Sequence, residues 1–405
     1  MLRITIFCLE CSRRQLLHSK FFHPSPRRFY DIDIHGYDIG IDCHAFLLFP
    51  SRAPLFGFPA HSKAAMRLTA RTHAFFAAIT LLLNVEASGG GVALDALGLY
   101  LTKNGYGGAQ LIRVGNFYHL PINSNGKPAN LIIDTGSPTT LIFRSSIKAL
   151  GLSELRTNTQ VSTVFGQSRE FSGTATIKAL TAGNCTFTNV PADVVPALSY
   201  SNHSGVLGLR ELFRFGAVLD LSHQLIYFRP LRPRIETGDM ARLMRTKTGW
   251  RPVASGGEVS QTVRSILTEQ GWTPVAFSIS RRHLRVPGAV NGVACYFSID
   301  TGAYFTMLDA DFAKRAKIGG VRTHISAHGF GKSVGDVSLS VFPSLRIGSY
   351  EVKRGSAMIG FLDPEAIGRG TDFEIAGLLG IEHLAINSGI FDFVSGTMYL
   401  RPARR

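Results

Sequence analysis

The chain has 405 residues, long enough for two lobes that each hold a proper core. Its 43 Lys and Arg against 28 Asp and Glu give a formal charge of +15 and a pI near 9.9. The basic residues are scattered, with clusters only at Arg13-Arg14, Arg27-Arg28, Arg281-Arg282 and Arg404-Arg405, and no aromatic-interleaved pattern accompanies them, so a nucleic-acid partner is not expected.

Residues 1–65 are rich in Phe, Pro, Arg and His without periodicity or caps, and read as a non-native or disordered extension. Its Cys8-x-x-Cys11 spacing is weak grounds for metal or redox work. Residues 66–87 read as a signal peptide: a basic stretch from Met66 to His73, an apolar run from Ala74 to Leu83, and a cut after Ala87. Translation starting at Met66, and export to a periplasmic or secreted location, are the expectations. The apolar run is too short to span a bilayer, so no stable membrane anchor is expected.

Two similar units follow, over 88–230 and 266–405, joined by a basic linker at 231–265 with a predicted helix around Met240 to Thr246. In the first, Tyr118 to Ile122 and Leu131 to Ile133 are apolar strand runs flanking Asn125-Gly126, a hairpin signal. The second repeats this order with Val286, Asn291-Gly292 and Tyr296 to Ile299. Short helices are predicted at Ser145 to Leu150 and Asp309 to Ile318, and hairpins at Val161 to Ile177 and His324 to Leu339. Each unit closes on a strand, Leu225 to Phe228 or Thr397 to Leu400. A constant offset of 166 links Gly105-Tyr106 to Gly271-Trp272, Pro121 to Pro287 and Asn125-Gly126 to Asn291-Gly292. An offset of 172 links Gly205–Leu209 to Gly377–Ile381 and Arg229-Pro230 to Arg401-Pro402. Landmarks matching in one order are an internal duplication. The second unit is six residues longer, and its Gly360 to Glu374 segment is expected to form a surface loop.

Within this register sit Ile133-Asp134-Thr135-Gly136 and Ile299-Asp300-Thr301-Gly302, each closing an apolar strand. One Asp-Thr-Gly is weak evidence, since many strands end in an Asp and a Gly turn. Two in register, each with a later apolar-Gly partner, Leu207-Gly208 or Leu379-Gly380, are much stronger.

On these residues the chain resembles the aspartic peptidases, each half being similar to a retropepsin-like unit, from roughly Leu101 to Pro402. The resemblance implies a mostly β, bilobal acid-protease fold with short helices and an active site in the cleft between two duplicated lobes. It implies a monomer with both halves of the site in one chain, and an aspartic endopeptidase acting on a peptide or unfolded protein. Asp134 and Asp300 would be the catalytic dyad, since two carboxylates about 3 Å apart share one proton and provide a base and an acid. Thr135 and Thr301 would cross-brace the two turns, Gly136 and Gly302 would permit them, and the Leu207-Gly208 and Leu379-Gly380 pairs would brace them. The flap hairpins would carry Phe165 and Gly166 in one unit and Gly329, Phe330 and Gly331 in the other; the flap tyrosine of pepsin-like enzymes is missing from both. No metal, cofactor or covalent intermediate is required. Two other classes stay open: a non-catalytic peptide-binding module on this fold, and a structural duplicated β-domain.

The copies differ after the motif, with Ser137 in one and Ala303 in the other. A Ser hydroxyl donating to the outer carboxylate oxygen would favour the charged form, so an asymmetric dyad titrating upward is expected, and Ala303→Ser should shift it downward. Cys185 and Cys295 are expected as two buried thiols without a disulfide. Gly329-Phe330-Gly331-Lys332-Ser333 resembles the end of a phosphate-binding loop, but Ser326 occupies the required first Gly position. His223, His283, His324, His328 and His383 show no metal-ligand spacing. No Gly-x-Ser-x-Gly or His-Glu-x-x-His occurs, which removes the commonest serine and zinc hydrolase signatures.

Overall fold

The computed structural model describes residues 95–163, 166–196, 203–229, 257–280, 282–329, 332–352, 355–363, 367 and 375–402. They build three sheets. The first half contributes an eight-stranded sheet and the second a larger one. The third sheet belongs to both: β1 (Gly107–Gln110), β11 (Leu225–Phe228) and β10 (Val218–Asp220) from the first half, then β23 (Ile390–Asp392), β24 (Thr397–Leu400) and β12 (Thr273–Ala276) from the second. At its centre β10 and β23 run antiparallel, with Leu219 opposite Phe391. The duplicated units are therefore joined by backbone hydrogen bonds as well as by the chain.

The doubled hairpin signal forms the same turn twice. β3 (Phe117–Ser124) and β4 (Lys127–Ile133) pair from Ser124↔Lys127 onward. β14 (His283–Val290) and β15 (Val293–Ile299) pair from Val290↔Val293. The two-residue turns Asn125-Gly126 and Asn291-Gly292 have φ of 51° and 86°, and 49° and 80°. This is the left-handed conformation that matches strand twist and that Asn and Gly tolerate best. Each turn hands a buried apolar strand end, Leu131 to Ile133 or Phe297 to Ile299, to the following Asp.

The predicted hairpins form β6 (Leu155–Thr163) with β7 (Gly166–Ala182), and β17 (Val321–Gly329) with β18 (Lys332–Phe342). Helix outcomes differ between copies. Asp309 caps α4 (Ala310–Arg315) by accepting from the N–H groups of Asp311 and Phe312 at 3.0 and 3.3 Å. The corresponding first-unit segment is only a 3-10 turn, Arg144–Ser146, because Phe143 stands at its N-cap and offers no side-chain acceptor. The helix expected around Met240 to Thr246 lies outside the described residues. A helix does form at the end of the stretch read as linker, α3 (Gly257–Glu269). Of Gly360 to Glu374, expected on the surface, Leu362 and Ile367 are instead buried against Met307 and Leu378. Their apolar side chains outweigh the loop composition around them.

The main core runs through both halves, from Leu120, Leu131 and Ile177 to Phe297, Leu345 and Leu379. A second cluster packs α1 (Ala96–Lys103) and α3 onto the shared sheet, through Leu97, Leu101, Val263, Leu267, Tyr227 and Tyr399. Cys185 and Cys295 are both buried, and among the described residues neither forms a disulfide.

Candidate active site

Each Asp is delivered by the same three-strand device. β4 runs parallel to β9 (Gly205–Leu207) with Ile133 opposite Leu207, and β15 runs parallel to β22 (Ile375–Leu379) with Ile299 opposite Leu379. The Asp134 N–H donates to the Leu207 carbonyl at 3.1 Å and the Asp300 N–H to Leu379 at 3.0 Å. The next residue on each brace locks the far side of the turn. Gly208 N–H donates to Thr140 Oγ1 at 3.3 Å, and Gly380 N–H to Thr306 Oγ1 at 2.9 Å. Leu209 N–H reaches the Ser137 carbonyl and Ile381 N–H that of Ala303, both at 2.9 Å. Behind these turns stand two carboxylates that sequence reasoning passed over, Glu211 buried and Glu382 half-buried. Glu211 accepts from the Thr140 N–H and hydroxyl at 3.1 and 2.6 Å, and Glu382 accepts from the Thr306 N–H.

The two motifs interlock. Thr135 N–H donates to Thr301 Oγ1 and Thr301 N–H to Thr135 Oγ1, each at 3.0 Å. Each hydroxyl donates onward, Thr135 to the Ile299 carbonyl at 3.0 Å and Thr301 to the Ile133 carbonyl at 2.7 Å. Four buried hydrogen bonds thus cross between the halves beside the carboxyls. Gly136 and Gly302 stand where nothing larger fits: a Cβ on Gly136 would lie 2.4 Å from the Asp300 carboxyl carbon, and one on Gly302 would lie 2.5 Å from that of Asp134. Each turn therefore packs its backbone against the opposite carboxyl.

The environment pushes both acids upward. Burial raises Asp134, partly offset by the Gly136 and Ser137 N–H groups, which donate to its Oδ1 at 2.8 and 3.1 Å. Burial raises Asp300 well above the ordinary carboxylate range, the Asp134 charge raises it further, and Gly302 N–H donates to it at 2.9 Å. Such a pair holds one proton and one charge, which suits one member to give a proton while the other takes one.

The asymmetry expected from Ser137 and Ala303 has a different origin from the one first assigned. The Ser137 hydroxyl donates to the Thr139 carbonyl at 2.7 Å, and it is the Ser137 backbone N–H that reaches Asp134. In the second copy the Ala303 N–H lies 3.2 Å from the Asp300 carbonyl. By analogy with Ser137, a hydroxyl introduced by Ala303→Ser is expected to bond a local backbone carbonyl and not the Asp300 carboxyl. We expect that substitution to leave a pH-rate profile unshifted; a clear downward shift would restore the hydroxyl account.

Of the flap candidates, Gly166 and Gly329 sit at strand ends beside the hairpin tips, opposite Thr163 and Lys332. Phe165, Phe330 and Gly331 lie outside the described residues. Two aromatics that sequence reasoning passed over, Tyr304 and Phe305, follow the second motif directly and are 42% and 38% exposed. Tyr304 meets Phe117 edge-on at 5.4 Å and accepts a hydrogen bond from Asn116 Nδ2 at its carbonyl, 3.3 Å away. Their signal was available: two large apolar residues in a row, just after a polar turn.

A family model described as aspartyl protease matches this chain twice, over residues 120–210 and 286–382. The two segments contain the two motifs with their braces. Each half of the chain is therefore similar to one aspartyl protease unit, the two standing in tandem. A solved structure similar to part of it is a retropepsin-like aspartic protease from Rickettsia conorii, 17% identical, covering 30% of this chain and 89% of that one, with a TM-score of 0.24. Among curated proteins, none matches.

Proposed function

We propose that this protein is an aspartic endopeptidase in which Asp134 and Asp300 activate a water molecule against a peptide bond. The observation that carries the reading is the pair of carboxyls, Asp300 buried and Asp134 half-buried, each packed against the opposite glycine and held at equivalent turns by reciprocal threonine bonds. The pair shares one proton: the protonated member donates it to the carbonyl oxygen as that oxygen gains charge, and the charged member accepts a proton from water. No metal or cofactor takes part in this scheme.

The substrate is an extended or unfolded polypeptide, paired by its backbone along strands that flank the dyad. Both carboxyls come from one chain, so a monomer suffices. Tyr304 and Phe305 offer an exposed apolar surface beside the Asp300 turn, and favour a large apolar side chain there. Tyr304→Ala should accordingly raise KM for such substrates more than it lowers kcat, as steady-state kinetics on a peptide series would show. Export from a signal peptide beginning near Met66 belongs to the same proposal; cell fractionation with amino-terminal sequencing tests it. Among the described residues no helix is long and apolar enough to cross a membrane.

The direct test is cleavage of an unstructured protein by the purified chain at acidic and neutral pH, with and without a statine-type inhibitor. Inhibitable cleavage supports the proposal. Peptide binding without turnover would replace it with the binding-module reading, and neither binding nor turnover with the structural one.

A further inference from the structure

We propose that Asp95, Asp220 and His223 form a binding site for one divalent cation of the zinc or manganese kind, outside the proposed dyad. Asp220 ends β10, and its Oδ1 accepts from the Ser222 N–H, the Ser222 hydroxyl and the His223 N–H at 2.9, 2.7 and 3.0 Å. That fixes the carboxyl and leaves Oδ2 2.8 Å from His223 Nδ1. Asp95 is arranged in the same way. Its Oδ1 caps α1 by accepting from the Gly98 N–H at 2.9 Å, and its Oδ2 stands 3.7 Å from the same imidazole nitrogen. The three ligand atoms lie within 4.8 Å of one another.

A second observation points to an occupant. Tyr227, on β11 next to β10, is 1% exposed, and among the described residues its hydroxyl has no hydrogen-bond partner. Tyr227 stands opposite Val218 and so shares a sheet face with Asp220, and burial chiefly, then the charges of Asp95 and Asp220, hold its phenol in the neutral form. A water molecule bound to a cation among these ligands would give that hydroxyl a partner.

The duplication supplies a comparison within the same chain. At the 172-residue offset Asp220, His223 and Tyr227 correspond to Asp392, Ser395 and Tyr399. There the Val394 and Ser395 N–H groups donate to Asp392 Oδ1 at 2.9 and 3.2 Å, and a neutral serine stands where the first copy has its imidazole. A neutral side chain at that position thus suffices to build this corner of the fold. The first copy has a second carboxylate and an imidazole beside its Asp, a charged set that the turn itself does not require. One imidazole nitrogen with two carboxylate oxygens suits zinc or manganese better than the all-oxygen set calcium or magnesium prefers. The Arg401 guanidinium also acts on His223, but it is engaged over the Trp272 ring at 3.3 Å and with the Gln270 carbonyl at 2.9 Å.

The test is calorimetric titration of the metal-stripped full chain with zinc chloride alone and with manganese chloride alone, followed by thermal unfolding of each mixture. The wild type should show one specific site and a raised melting temperature. His223→Ala and Asp95→Asn should weaken that site by more than about 100-fold, beyond what loss of an outer partner costs. Both variants keep the fold, because His223 is exposed and Asn caps a helix as well as Asp does. Failure of the wild type to bind either metal, or a His223→Ala titration identical to wild type, would overturn the proposal. The cluster would then be an Asp–His ion pair only.

Discussion

Asp300→Asn and Asp134→Asn are each expected to lower kcat/KM on an unstructured protein substrate by roughly 100- to 10,000-fold, the range assigned to loss of a positioned acid or base. Neither should damage the fold, since Asn keeps the Oδ1 that accepts from Gly136 and Ser137, or from Gly302. Stability should move the other way. Both carboxyls are raised in the folded state by burial, and Asp300 further by the Asp134 charge. A raised acid binds its proton more tightly when folded, so its stabilising contribution is full below the unfolded value of about 3.9 and is lost as pH rises through the folded value. Asn carries no such penalty. Asp300→Asn should therefore melt close to wild type near pH 3 and above it near pH 7. Thermal unfolding at the two pH values checks this, alongside a kcat/KM assay. A variant within about tenfold of wild-type activity would remove the dyad from the mechanism.

Thr135→Val is expected to have the second largest effect. The substitution keeps the branched shape and deletes a hydroxyl that donates to the Ile299 carbonyl and accepts from the Thr301 N–H, both at 3.0 Å. Thr135 is fully buried, so water cannot replace the missing partner. Each orphaned buried group costs about 1–3 kcal/mol, which for the two gives a loss of about 2–6 kcal/mol, measurable by denaturant unfolding. Activity should fall too, because the N–H and carbonyl left unpaired flank Asp300. Thr301→Val should mirror it through the Ile133 carbonyl and the Thr135 N–H. The double variant should cost less than the sum of the singles, since these bonds act as one reciprocal unit. Strict additivity would mean that the threonines stabilise their own turns separately. Thr135→Ser should recover most of the loss, because it restores the hydroxyl.

How much of this was readable in advance differs by element. The Asn-Gly hairpins and closing strands were legible because their determinants are local: left-handed turn residues, and apolar runs that are buried on both faces. The 3-10 turn at Arg144–Ser146 was misread as a helix because apolar spacing was present while a capping side chain was not. Ser137 was misread for a related reason. Its type permits donation to a carboxylate, but the rotamer is chosen by the nearby Thr139 carbonyl. Leu362 and Ile367 were assigned to the surface from the loop-like composition around them, whereas the core side of Met307 takes them in.

By itself the sequence determined the duplication, the register that makes Asp134 and Asp300 equivalent, and the residue types a shared-proton dyad needs. These follow from order and spacing along one dimension. Only the tertiary structure decided that the two turns interlock, that burial raises both Asp134 and Asp300, and that Glu211 and Glu382 stand behind the site. It also brought Asp95 and His223 to one point although 128 residues separate them. Such facts depend on which groups lose water together and which N–H groups face which oxygens. Closure of the shared sheet fixes both, and no local pattern in the chain encodes either.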